Sequence, residues 1–120
     1  MDINNPVIKL CVAGTQAEFK GQIQEAYALY QQAWDAACDD YEVCIAAHYM
    51  ARNQTEPQQI LFWNQEALKH ADRVGDERVK VFYPSLYLNM GRAYELLGNG
   101  IEAKKYYDLA AELGMKHEMG

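Results

Sequence analysis

Cys44 and His48 stand four residues apart, so a helix would carry a thiol and an imidazole on one face, with Cys38 close by in the chain. Thiolate and imidazole are the ligand types of a zinc site. No fourth ligand is spaced to join them, so the expectation is no metal and three reduced thiols. A buried reduced cysteine packs as a small hydrophobe. His70 and His117 fall near predicted helix C-termini, where partial positive charge is favourable, and no Ser, Cys or acid is placed to make either catalytic. Gly98-Asn99-Gly100 reads as a helix connection rather than a phosphate-cradling loop. The sequence therefore points to a non-enzymatic protein that needs no cofactor.

Composition narrows the class further. The chain has 120 residues, half of them apolar and 23% charged, which fits one domain around one core. Only three prolines occur, and good helix formers are frequent. No apolar run approaches the ~20 residues of a membrane span, and the start, MDINNPVIKL, lacks the basic and apolar regions of a signal peptide. An odd number of cysteines then suggests the reducing cytoplasm. The net charge is −6 with no basic patch, which argues against nucleic acid as a partner. Residues 1–50 hold seven acids and two bases, residues 51–120 ten acids and nine bases. The acidic first part reads as a solvated face, or as a patch that steers a basic partner.

The strongest pattern lies between Pro84 and Gly114, PSLYLNMGRAYELLGNGIEAKKYYDLAAELG. Tyr87, Met90, Gly91 and Tyr94 recur at the spacing of one helix face, and Ala103, Tyr107 and Ala110 do the same on the next helix. Gly98 suits a left-handed helix end, and Asn99 with Glu102 forms a capping box. Gly91 and Ala103 are small enough for two helix backbones to approach, with Tyr94 and Tyr107 filling the space beside them. The stripe Tyr83, Tyr87, Met90, Tyr94 is expected to be core.

This pattern closely resembles the tetratricopeptide repeat, whose signature is W-x₂-L-G-x₂-Y, then A-x₃-F, then P. Tyr87 stands in the Trp position and Met115 in the Pro position. The same slots are filled by Leu10, Ala13, Gly14, Ala17, Ala26, Tyr30 and Ala33, with Cys38 last. A degenerate copy begins near Tyr41, 34 residues after Val7, with Cys44, Ala47, His48 and Ala51, then Ile60, Asn64 and Ala67. There His48 takes the glycine slot and Asn64 an aromatic one. Cys38, Cys44 and His48 are thereby packing positions. The step to the last copy is nine residues longer, which resembles the extended repeat of kinesin light chains and Rap-type regulators.

The resemblance implies an all-α fold: three antiparallel helix pairs, about 7–40, 41–75 and 76–117, stacked as a right-handed superhelix in one domain over 1–120. Asn5-Pro6 should start the first helix, running to Lys20, and Thr55 should cap a helix that ends at Gly75. Residues Asp76–Leu97 should form one helix kinked at Pro84; the alternative is a short turn at 76–82 and a fresh helix with Pro84 in its first turn.

It also implies a concave groove lined by the first helix of each pair. The slots place Ile8, Cys11, Val12, Thr15 and Phe19 there, then Glu42, Ile45, Ala46, Tyr49 and Arg52, then Ser85, Leu88, Asn89 and Arg92. Asn89, just before the apolar-Gly pair, is expected to hydrogen-bond a ligand backbone. Binding of a chaperone's terminal carboxylate is not expected, because Cys11, Thr15 and Ala46 supply no cationic donors. The implied function is binding a peptide or helix of a partner protein. The alternative is a self-associating structural or regulatory subunit that docks on a larger chain. Ile101, Tyr106, Leu109 and Leu113 on the last helix have no evident cover, and little sequence follows them. A weak two-fold homodimer through this face is expected.

Overall fold

The computed structural model describes residues 4–114, and all regular structure among them is helical. The helices are α1 (Pro6–Phe19), α2 (Ile23–Ala36), α3 (Asp40–Arg52), α4 (Pro57–Val74), α5 (Glu77–Lys80), α6 (Tyr83–Leu96) and α7 (Gly100–Glu112).

Local chemistry sets most boundaries. Asn5 Oδ1 accepts from the Val7 and Ile8 amides at 2.8 and 3.3 Å. Asp39 caps α3 through the Glu42 amide at 2.8 Å, and Asn99 caps α7 through that of Glu102 at 3.2 Å. Each satisfies amides that the first helical turn leaves without a partner. Gly75 and Gly98 take positive φ, +63° and +77°, where a side chain would be strained.

Two boundaries differ from expectation. Thr55 does not cap α4; Glu56 precedes Pro57 and no side chain caps the helix. Pro57 has no amide to satisfy, and its fixed φ starts the turn unaided. The segment 76–97 is not one kinked helix: α5 ends at Lys80 and α6 starts at Tyr83. Pro84 explains the break. It cannot donate to the carbonyl four residues back, that of Lys80, and its ring would clash there. The Phe82 amide instead closes a tight turn on Val79 O at 2.9 Å.

Short connections fold α1 on α2, α3 on α4 and α6 on α7; α1 and α2 both pack on α3, and α6 packs on α4. The core joins Val7, Ile8 and Cys11 of α1 to Cys44, Ile45 and Ala46 of α3. Val7, Ile8 and Ile45 each contribute roughly 1.5–3 kcal/mol on burial.

One arrangement occurs twice. A Cβ at Gly14 would lie 2.3 Å from Cε1 of Tyr30, and a Cβ at Gly91 2.5 Å from Cε1 of Tyr107. The glycines thus admit a tyrosine ring from the neighbouring helix rather than its backbone. Each ring's hydroxyl donates to an acid four residues after the glycine, Glu18 or Glu95. Of the stripe on α6, only Met90 is fully buried. Tyr83, Tyr87 and Tyr94 are half-buried and form a ladder with Tyr106, the Tyr94 and Tyr106 rings stacking at 5.8 Å.

Candidate binding cleft between α3 and α6

Between α3 and α6 lie two adjoining hollows that share His48. The first, about 210 Å³, is mostly apolar, with Ile45, Tyr49, Phe82 and Ser85 in its wall. The second, about 390 Å³, is mixed in character, with Arg52, Asn64, Asn89 and Arg92 beside Ala51, Ile60 and Leu96. Among the described residues no carboxylate lines either. Because α6 leans on α4, its face toward α3 stays open.

Six of the predicted groove residues come together here: Ile45, Tyr49 and Ser85 in the first hollow, Arg52, Asn89 and Arg92 in the second. Ile8 does not. It is 1% exposed, because α1 packs directly on α3 and closes that stretch into core. Cys11 and Ala46 are buried for the same reason. Val12 is exposed on α1 and Thr15 half-buried, and neither lines these hollows. The Thr15 hydroxyl donates to the Cys11 carbonyl at 3.0 Å. Glu42 is engaged by Asn5 at 2.8 Å and by the Cys38 amide at 2.9 Å.

The floor of the cleft is where the middle helix pair departs from the other two. His48, Arg52 and Asn64 stand 34 residues after Gly14, Glu18 and Tyr30. The imidazole takes the glycine position, the guanidinium the acid position, and the carboxamide the tyrosine position. Arg52 reaches back to α1 and pairs with Glu18, its Nη2 donating at 2.8 Å and its Nε at 3.2 Å. Glu18 thus accepts from both Arg52 and Tyr30, and its carboxyl is held below the usual range, chiefly by the Arg52 hydrogen bonds. Burial, with Glu18 beside it, pushes the Tyr30 hydroxyl up to about 12. Glu18 was not singled out from the sequence, although its place four residues after Gly14 repeats at Glu95.

Asn64 is 3% exposed; its Nδ2 donates to the Ile60 carbonyl at 3.0 Å, and its Oδ1 meets no donor among the described residues. His48 Nδ1 is likewise covered and unpartnered. Burial and then the nearby Arg52 charge lower the His48 pKa from its ordinary 6.5, so the ring is neutral at pH 7. An unmet buried polar atom is costly, so the two together mark an unusual place in the fold.

Other sequence candidates are dispersed. Cys11 and Cys44 are buried, which pushes their thiols up to about 12, while Cys38 is exposed. Among the described residues no three His, Cys, Asp or Glu side chains are grouped to hold a metal ion. His70 Nδ1 meets Asp40 at 2.6 Å. His117 and Met115 lie outside the described residues. Ile101 and Leu113 on the last helix pair are exposed. No described helix is long and apolar enough to cross a membrane.

Compared with protein-family models, curated proteins and solved structures, the chain matches none.

Proposed function

We propose that this chain is a tetratricopeptide-like array of three helix pairs that binds a segment of a partner protein in the cleft between α3 and α6. The observation that carries this reading is the coincidence of site and sequence departure. The cleft opens where His48, Arg52 and Asn64 replace the glycine, acid and tyrosine of the flanking pairs. The recurring Gly–Tyr–acid arrangement supports the repeat reading, since the first and last pairs share one internal spacing, with the acid four and the tyrosine sixteen residues after the glycine. An open cleft with an apolar end and a few convergent polar groups suits a peptide. Arg92, with Arg52 held by Glu18 next to it and no carboxylate among the described lining residues, favours an acidic segment. In this reading Asn89 holds the ligand backbone, Arg92 meets its charge and Tyr49 supplies apolar surface. The protein acts in the cytoplasm, without nucleic acid, membrane or catalysis.

A photo-crosslinking side chain at Ser85 tests this in native extract, with one at Gln65 on the outer side of α4 as control. A single partner segment captured from Ser85, absent from Gln65 and lost with Asn89→Ala plus Arg92→Glu, supports the cleft. Equal capture from both positions contradicts it.

A second reading has its own observation. Ile101 is 84% exposed, with Leu96 and Leu113 also exposed on the same helix pair. A second copy covering this surface gives a weak two-fold dimer. Sedimentation at rising concentration tests it, and a monomer at about 100 μM excludes an interface of micromolar affinity.

A further inference from the structure

The floor of the cleft holds a donor–acceptor problem that the protein does not solve internally. In the first and last helix pairs, glycine and tyrosine fill this level with a ring. In the middle pair a carboxamide replaces the phenol and an imidazole replaces the hydrogen atom of glycine. Asn64 Oδ1 is left as an acceptor while Nδ2 donates to the Ile60 carbonyl. His48 Nδ1 is left beside the same cleft, a donor in its N–H tautomer.

We propose that His48 and Asn64 form the specificity point of the cleft and receive an Asn or Gln side chain of the bound segment. This rests on the cleft being a peptide-binding site and names what it selects. A primary carboxamide carries N–H donors and a carbonyl acceptor at one end, so one group answers both atoms. A carboxylate has no donor for Asn64 Oδ1. An ammonium has no acceptor for His48 and would face Arg52 and Arg92. An aliphatic side chain leaves both atoms buried and unmet. A backbone peptide directs its N–H and C=O to opposite sides and reaches only one of them. Both atoms are covered in the free protein, so the incoming carboxamide meets them after a rotation of the His48 or Asn64 side chain. Asn64 lines the second hollow, and His48 borders both.

Selection of randomised short peptides by display against the full chain tests the assignment without knowledge of the natural partner. The expected result is a family of binders sharing Asn or Gln at one aligned position. Exchange of that residue for Glu, Asp or Met should weaken binding roughly tenfold to a hundredfold, the effect of leaving buried polar groups unpaired. The double variant His48→Gly, Asn64→Tyr rebuilds the flanking arrangement and should lose that preference. The peptide exchanges need only the native chain, so they decide the matter even if this variant folds poorly. Enriched peptides that share no carboxamide, or that tolerate its exchange, overturn the inference and leave the cleft reading standing. Failure to enrich any peptide overturns the cleft reading itself, and the inference with it.

Discussion

Arg52 and Glu18 occupy equivalent positions in α3 and α1, 34 residues apart, and their side chains pair across the two helices at 2.8 Å. Where the last helix pair repeats the acid as Glu95, the middle pair carries its charge partner. The exchange puts a link between successive pairs at a position that in the flanking pairs accepts from a tyrosine hydroxyl. It also brings a guanidinium to the edge of the cleft.

This link should be modest. Arg52 is about half exposed, so a double-mutant cycle between Arg52→Ala and Glu18→Ala should give a coupling of about 0.5–1 kcal/mol. Glu18→Ala alone should cost more than Arg52→Ala, about 1–2 kcal/mol, because the buried Tyr30 also loses its acceptor. Urea unfolding measures all three quantities. Equal losses from the two single variants would show that Glu18 has no role beyond the ion pair.

The two buried glycines should be intolerant of even one carbon. Gly14→Ala and Gly91→Ala drive a methyl into the rings of Tyr30 and Tyr107. The expected loss is roughly 1–3 kcal/mol from overpacking, despite a helix-propensity gain of about 1 kcal/mol. Gly100→Ala is the control, since nothing lies within 4 Å of its added carbon. It should be neutral or stabilising. Thermal melts of the three variants would contradict the packing account if the buried pair melted no lower than the control.

Stability should fall on mild acidification through His48. Its folded pKa lies below the unfolded 6.5, so the unfolded chain binds the proton first and stability rises with pH. The His48 contribution is complete above 6.5 and is lost progressively as pH drops from there toward the folded value. Denaturation midpoints between pH 7.5 and 5 should therefore decline in the parent more than in His48→Gln. Parallel curves for the two proteins would show that the imidazole is not kept neutral by folding.

The helix pairing was legible because its signals are local. Asn5, Asp39, Asn99, Gly75 and Gly98 act on amides and carbonyls a few residues away. The break before α6 was visible only as an alternative, because whether Pro84 kinks a helix or starts one depends on what packs around Lys80. Spacing marked Gly91 as a close contact, but the expected neighbour was a backbone at Ala103, and the Tyr107 ring fills the space instead. The cleft was half legible. Ile8 and Ser85 occupy matching slots, yet one is core and the other lines a hollow. How far apart two first helices stand depends on their shared neighbours: α1 lies directly on α3, while α6 leans on α4. Slot patterns do not encode that. Glu18 escaped notice because a surface acid four residues past a glycine carries no signal until Tyr30 and Arg52 are seen to converge on it.

Amide chemical shifts of the full chain, followed while an acidic peptide enriched by selection is titrated in, show where the segment binds. Saturable shifts are expected at His48, Tyr49, Ser85 and Asn89, with the outer faces of α2 and α7 unmoved. Shifts centred on Ile101 to Leu113, with the α3–α6 residues silent, would contradict it.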